Sequence, residues 1–502
     1  MTFDVHQLDS FVLVGSLVTL VAILAVRLSA TVGLPSLLFY LFMGVLLGEA
    51  GLGIQFEDAQ MAHALGFGAL ALILAEGGLT TSWRDMRPSI RLGVSLATLG
   101  VAVSVAVVAV GAHYLLGLPW ELAILLGAVC SPTDAAAVFS VLRIVPLPKR
   151  LTGVLEAESG LNDAPTVVLV SIISTGVALE SGVLSVAGTI VFELAVGATI
   201  GVLAGMGGAW MLRRIALPSS GLYPLSVLCL AFLGYGAATA VHASGFAAVY
   251  VAALILGNQE LPHRAATRSF AEGLASLAQI GLFVMLGLLL SPARINLDVV
   301  VLAIVTGLIL TFVARPVSVL LSSLAQPMPW RELTFISWAG LRGAVPIVLT
   351  TIPLAEGVEG ADRLFDIVFV MVVIYTLLTG PTLPLVARIL RVARRSEPRG
   401  LDVEAAPLER VAADMLQVSI AETSRMHGVE VGELRLPPGA SVSLVIRQGE
   451  TLVPERRTVL RRGDDVLVVT PRKVRVETEE RLRQVSAGGR LAQWRSDSRK
   501  PR

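Results

Sequence analysis

Apolar stretches about twenty residues long recur along this chain, and they limit what it can fold into more than any other feature. A helix crosses a bilayer core with about 20 apolar residues, because lipid offers unpaired backbone groups no partner. About thirteen such stretches stand between short polar loops, at 10–29, 33–48, 61–79, 90–116, 120–141, 151–175, 184–212, 222–241, 244–257, 269–290, 297–324, 332–354 and 366–388. The expected fold is an all-α polytopic membrane domain of about 13 transmembrane helices. The first stretch follows Asp4 and Asp9 with no basic residue before it, so it reads as a retained span rather than a cleaved signal.

Composition agrees. The chain is 54% hydrophobic and 15% charged, against about 25% charged in soluble domains. That excludes a disordered chain, a nucleic-acid binder driven by charge and a purely soluble enzyme. Two cysteines exclude a disulfide framework. The charge is unevenly placed: residues 1–387 hold 38 charged residues and residues 388–502 hold 39. The expected division is a membrane domain at 1–392, a linker at 393–401, a small α+β cytoplasmic domain at 402–485 and a basic tail at 486–502.

Loop charges orient the spans. With the N-terminus outside, Arg84, Arg87, Arg91, Lys149, Arg150, Arg213, Arg214, Arg264, Arg268 and Arg388 fall on the inner side. Glu57, Asp58, Glu356, Glu359 and Asp362 fall outside, with Arg294 and Arg363 the exceptions. Positive loops stay inside, which predicts a multi-pass protein of the cytoplasmic (inner) membrane with its C-terminus in the cytoplasm.

Ionisable residues inside the spans carry the functional signal, since each costs about 2.5–3.5 kcal/mol at the bilayer centre. They include Glu76, Asp134, Glu156, Glu158, Asp163, Glu193, Arg315 and Arg342. The sixth stretch alone holds Glu156, Glu158, Ser159, Asn162 and Asp163, which requires a wet cavity or a partner. Cys130-Ser131-Pro132-Thr133-Asp134 in the fifth stretch and Gly340-Leu341-Arg342-Gly343 in the twelfth each interrupt an apolar run with small residues or proline. Paired interruptions in oppositely oriented halves point to a transporter site built on broken helices. Arg342 needs an acid, and Glu158 is its expected partner. Arg315 reads as snorkelling inward, and Glu76 as either a funnel residue or a helix-end residue. Cys130 and Cys229 read as packing residues, Gly201 and Gly205 as a small-residue contact hinting at a dimer, and His113, His242 and His263 as interfacial or loop residues.

These motifs resemble the monovalent cation:proton antiporters of the NhaP-like branch, over residues 10–392. The resemblance rests on Ser131-Pro132-Thr133-Asp134, Glu158-Ser159-Gly160-Leu161-Asn162-Asp163, Gly340-Leu341-Arg342-Gly343-Ala344 and Ala75-Glu76-Gly77-Gly78-Leu79. It implies an inverted-repeat fold, a homodimer and an elevator-like movement. It implies that Asp163 binds cation and proton in turn, that Asn162 marks the electroneutral branch, that Thr133, Asp134 and Ser159 stand at the cation site, and that Arg342 holds Glu158. In the potassium/proton subgroup proline directly follows the aspartate; here Ala164 stands before Pro165. Residues 402–485 resemble the TrkA-C or RCK-C domain through Val431 to Gly439, Ser443 to Arg447 and Leu460 to Val468, which implies a small-molecule or ion ligand.

The implied function is exchange of a monovalent cation, K⁺ ahead of Na⁺, for H⁺, with no cofactor, in pH, cation and volume homeostasis. The expected partners are the lipid bilayer and a second copy, with no nucleic acid. A channel gated by the tail is the distant rival, but the chain lacks a Thr-Val-Gly-Tyr-Gly filter. An intramembrane metalloprotease would need His-Glu-x-x-His, which is absent.

Overall fold

The computed structural model describes residues 5–32, 35–49, 51–54, 56, 58–134, 147–176, 182–393, 401–408, 413–421, 424–489 and 492. Asp4, Glu57, the far half of the fifth stretch, most of the expected linker and most of the basic tail lie outside them. The chain divides into two compact units, Met1–Ala393 and Arg394–Arg502.

The described residues of the first unit form helices joined by short non-helical segments. Its elements are α1 (Val5–Val32), α2 (Ser36–Leu47), α3 (Ala59–Thr80), α4 (Trp83–Leu116), α5 (Trp120–Cys130), α6 (Lys149–Ser174) and α7 (Val183–Arg214), followed by α8 (Leu222–Ala240), α9 (Gly245–Asn258), α10 (Arg264–Leu289), α11 (Leu297–Ser322), α12 (Trp330–Trp338), α13 (Ala344–Ala355) and α14 (Ala361–Ile389). Among the described residues seven helices are long and apolar enough to cross a membrane, namely α3, α4, α7, α8, α10, α11 and α14. Of the others, α2, α5, α9, α12 and α13 are shorter or broken, and α6 carries the acids that lower its hydropathy. Local chemistry sets the ends. Pro35, Pro119, Pro148 and Pro329 precede α2, α5, α6 and α12. Asp58 and Asn296 cap α3 and α11, each side-chain oxygen accepting an amide at 2.9 Å. Gly117 closes α4 at φ 67°, the left-handed conformation that favours glycine.

Two helix groups form. In the first, α2 packs on α10, α3 on α9 and α10, and α7 on α8 and α9. Backbones meet closely there: a Cβ on Gly201 would stand 2.5 Å from the Ala248 carbonyl and one on Gly205 3.1 Å from that of Ala252. The Gly201 and Gly205 pair, read from sequence as a dimer hint, therefore seats α9 inside the same chain. Cys229 is exposed rather than packed, whereas Cys130 is buried with its Sγ 3.8 Å from Met371 Sδ.

The second group contains α4, α5, α6 and α11–α14. Its two halves repeat a pattern. α4 carries a π-helical turn at Leu96–Gly100 and is followed by the interrupted α5; α11 carries one at Leu310–Ala314 and is followed by the interrupted α12–α13 pair. The two turned helices pack on each other, and Ser322 Oγ donates to the Ser95 carbonyl at 3.3 Å. The segment joining α10 to α11 is fastened on both sides: Ser291 Oγ donates to Glu49 Oε2 at 2.5 Å, and Arg294 donates to both oxygens of Asp366 at 3.0 and 3.2 Å.

The second unit is an antiparallel five-stranded sheet in the order β1-β2-β5-β3-β4, with β1 Leu401–Leu408, β2 Ala413–Ile420, β3 Ser441–Arg447, β4 Glu450–Leu452 and β5 Asp465–Pro471. Alternation along β2 and β5 buries Leu416, Val418, Ile420, Val466 and Val468 on one face. Leu482 and Val485 of α15 (Arg475–Gly488) share that core.

One ion pair pins this unit. Arg447 donates to both Asp464 oxygens at 2.8 Å, and the Arg461 amide adds a bond at 2.7 Å. Burial alone would push the Asp464 carboxyl up, but the Arg447 bonds and the Arg461 amide and charge hold it below the usual carboxylate range. Such a carboxyl adds stability above its unfolded pKa of about 4 and loses it as pH falls through the folded value. Protection of the β2 and β5 amides in the full chain, taken relative to the unfolded-chain exchange rate at the same pH, should therefore fall on acidification below about pH 4. Asp464→Asn should raise exchange at pH 7 and flatten this dependence; an unchanged acid profile would contradict the pairing.

Candidate functional site

The site forms where the two interruptions cross. α5 ends at Cys130 and the chain runs non-helical from Pro132 through Asp134; α12 ends at Trp338 and the chain stays open to Gly343. Serine, proline and glycine explain these breaks, since proline lacks a donor and glycine costs helix stability. Each break frees backbone groups, and they are used across the crossing. The Asp134 amide donates to the Leu341 carbonyl at 3.0 Å. Arg342 Nε donates to the Cys130 carbonyl at 2.7 Å, and its Nη1 to that of Gly340 at 3.1 Å. Thr376 Oγ1 of α14 donates to the Arg342 carbonyl at 3.1 Å. A Cβ on Gly343 would overlap the Asp134 carboxylate, so the approach needs a bare α-carbon there.

α6 passes beside the crossing. Glu158, Asn162 and Asp163 are all buried, 2%, 1% and 5% exposed. Asn162 Nδ2 donates to Thr133 Oγ1 at 3.0 Å, tying α6 to the first break. Thr166 Oγ1 donates to the carbonyls of Asn162 and Asp163, both at 2.8 Å. Pro165 inside α6 has no amide to give, which frees the carbonyl four residues back. Among the described residues Asp163 Oδ1 and Asn162 Oδ1 are buried oxygens without a hydrogen-bond partner. A buried polar atom left unmatched calls for an occupant or water.

Beside Asp163 lies a cavity of about 360 Å³ lined by Glu76, Thr80, Thr81, Thr133, Asp134, Glu156, Ser159, Asp163, Tyr250 and Gln279. The spacing on α6 accounts for three of these: Glu156, Ser159 and Asp163 fall on one helical face. Glu76 belongs to the wall and stands one turn before the end of α3, so the two sequence readings of it are compatible. Glu156 and Tyr250 are wall residues that sequence reasoning did not assign to the site. Glu156 was visible as a charge in an apolar span; Tyr250, whose hydroxyl lies against Gly160, had no signal beyond its own ring.

One expected pairing is different. Glu158 is held by Arg315, not by Arg342: Arg315 Nη1 meets Oε1, and Nη2 donates to Oε2 at 2.8 Å. Arg315 is 4% exposed and also donates to the Ile336 carbonyl at 3.3 Å, so it does not snorkel. The physical reason is supply. Arg342 sits in an unwound segment next to carbonyls that the breaks leave unpaired, and these neutral oxygens take its donors. Arg315, just after the π-helical turn of α11, meets one such carbonyl, that of Ile336, and turns its fork to the carboxylate in a bidentate pair.

Among known proteins, the sequence matches the family described as "Sodium/hydrogen exchanger, transmembrane" over residues 16–389 and the TrkA-C domain over 415–482. It is 35% identical over 480 residues to the K(+)/H(+) antiporter NhaP2 of Shewanella oneidensis, spanning 94% of this chain and 83% of that protein. It is 27% identical over 411 residues to the Na(+)/H(+) antiporter ApNhaP of Aphanothece halophytica, spanning 77% of each. The fold is similar to that of the sodium proton antiporter MjNhaP1 from Methanocaldococcus jannaschii, with a TM-score of 0.65 and 21% identity over 76% of this chain and 99% of that one.

Removing one partner of a buried pair strands the other charge at about 3–5 kcal/mol. Arg315→Met should lower the unfolding midpoint in detergent sharply, and adding Glu158→Gln should restore most of the loss. If Glu158→Gln rescues Arg342→Met instead, the pairing is wrong.

Proposed function

Because this chain belongs to the sodium/hydrogen exchanger family, we propose that it is a secondary antiporter that exchanges a monovalent cation for H⁺, with K⁺ the favoured cation. The observation that carries this reading is a buried carboxylate, Asp163, with an oxygen that has no hydrogen-bond partner among the described residues, beside a cavity at the crossing of two broken helices. A carboxylate buried in that way must be neutralised by a proton or by a cation. Only one of the two fits at a time, so each displaces the other. That competition couples the two flows.

The roles follow from position. Asp163 is the exchanging carboxylate. Thr133 and Ser159 supply neutral oxygens to the cation, together with backbone carbonyls freed by the breaks. Asp134 balances the half-helix ends at the crossing, where α13 begins beside it. Asn162 fixes Thr133 without titrating, so one proton exchanged for one cation moves no net charge. Glu158 and Arg342 serve the framework of the site: Glu158 anchors α6 to α11 through Arg315, and Arg342 clamps the two breaks to each other.

The K⁺ preference is supported by the greater similarity to the K(+)/H(+) antiporter NhaP2 and by the TrkA-C match; Na⁺ is the second reading, supported by ApNhaP. The protein lies in the cytoplasmic membrane with its N-terminus outside and its tail in the cytoplasm, as a homodimer. The tail binds a small molecule or ion that regulates exchange, within pH, cation and volume homeostasis.

In everted vesicles energised to acidify their lumen, K⁺ should dequench a pH-sensitive dye more strongly than Na⁺ at equal concentration. Asp163→Asn should abolish the response to both. A mutant that still exchanges removes Asp163 from this role, and silence of the wild type toward K⁺, Na⁺ and Li⁺ would reject antiport.

A further inference from the structure

The chain passes from the first helix group to the second through a very short link, Thr81-Ser82, between α3 and α4. Both residues are extended, with φ, ψ of −64°, 127° and −83°, 109°. This is an elbow between the helices that pack on α9 and α10 and those that carry the site. One side chain clasps it. Asn258, at the end of α9, donates from Nδ2 to the Thr81 carbonyl at 2.9 Å and to the Leu254 carbonyl at 2.8 Å. Its Oδ1 accepts the Trp83 amide at 2.9 Å.

A helix end leaves carbonyls unpaired and a helix start leaves amides unpaired. The amide of Asn258 serves one of each: the last carbonyl before the elbow and the first amide after it. Both of its donor hydrogens are used, which fixes the orientation of the group. On the near side the clasp is rigid, because α9 and α3 touch backbone to backbone: a Cβ on Gly257 would overlap Leu79, and one on Gly78 would stand 2.8 Å from the Tyr250 carbonyl. On the far side the contact continues to the site. A Cβ on Gly153 would stand 2.8 Å from the Asp85 carbonyl, one on Gly93 2.5 Å from Ala157 Cβ. Gly153 and Ala157 lie on α6, the helix of Asp163.

We infer that Asn258 is a positioning residue for exchange, a clasp that makes the elbow transmit movement between the first helix group and the helix bearing Asp163. The inference rests on the antiport reading for its role in turnover, and on the elbow geometry alone for its mechanical part. Without the clasp the link turns freely, and movement of one group is no longer passed on. Asn258 itself does not line the cavity and meets its wall only at the Thr81 carbonyl, away from Asp163, so the effect falls on rate rather than on cation affinity.

The test uses the full chain in vesicles, with K⁺ as the probe. Asn258→Ala should lower the maximal exchange rate by about fivefold or more, the rate equivalent of one lost hydrogen bond, with the apparent KM for K⁺ within about twofold of wild type. Asn258→Asp, which keeps the acceptor for Trp83 but turns an oxygen toward the Thr81 carbonyl, should act in the same direction. Hydrogen exchange should rise in both variants at residues 81–86 and also at 153–160 on α6. A maximal rate within about twofold of wild type in both variants overturns the inference. So does a rise confined to 81–86, or a loss of folded protein in both, which assigns Asn258 to folding only. A wild type with no cation response refutes antiport instead, and the exchange pattern then decides the clasp by itself.

Discussion

The arrangement depends on one constraint: where a helix breaks inside a membrane, its freed backbone groups must find partners within the protein. Here the two breaks answer each other. The Asp134 amide meets the Leu341 carbonyl, and Arg342 reaches the carbonyls of Cys130 and Gly340. A guanidinium brings several donors in a fixed fork, so a single arginine can serve the ends of two different helices. Once its donors are taken by carbonyls, Glu158 is left to Arg315, and that pair joins α6 to α11. The position of Asp163 is thus set by a chain of pairings that begins with the breaks.

Much of this was legible in the sequence, because the cost of charge and of broken backbone in lipid is high enough to leave marks. Ser131 to Asp134 and Gly340 to Gly343 could be located as interruptions, and Asp163 as an acid in an apolar run. The partner of Glu158 could not be read. Arg315 and Arg342 are equally costly in lipid, and sequence does not record which one has carbonyls within reach. The same limit applied to Gly201 and Gly205: small residues announce a close helix contact without saying whose helix it is. Cys229 was misread because an apolar stretch says nothing about which of its residues face outward.

The π-helical turns of α4 and α11 were likewise invisible, since a widened turn leaves no composition signal. They precede the two broken elements in both halves, and each packs on the helix that carries the other. Two connections between the helix groups also differ in chemistry. The elbow at Thr81-Ser82 is held by a neutral amide, whereas the segment between α10 and α11 is held by Arg294 on Asp366 and by Ser291 on Glu49. The second connection therefore contains groups on which salt and pH act directly, and the Asn258 clasp contains none.

The residue beside Asp163, the carboxylate proposed to exchange, has a consequence for energetics. Asn162 has nearly the shape of an aspartate and no charge to give or take. On the exchange reading, the moving part carries the same charge whether it holds a proton or a cation. A second carboxylate in its place would make one leg of the cycle cross the field with an extra charge, worth about 2.3 kcal/mol per 100 mV. With asparagine there, the membrane voltage does no work on the cycle. The direction of flow is then decided by the two concentration ratios alone, and a cell that loses its voltage but keeps its pH difference would keep this exchanger running the same way.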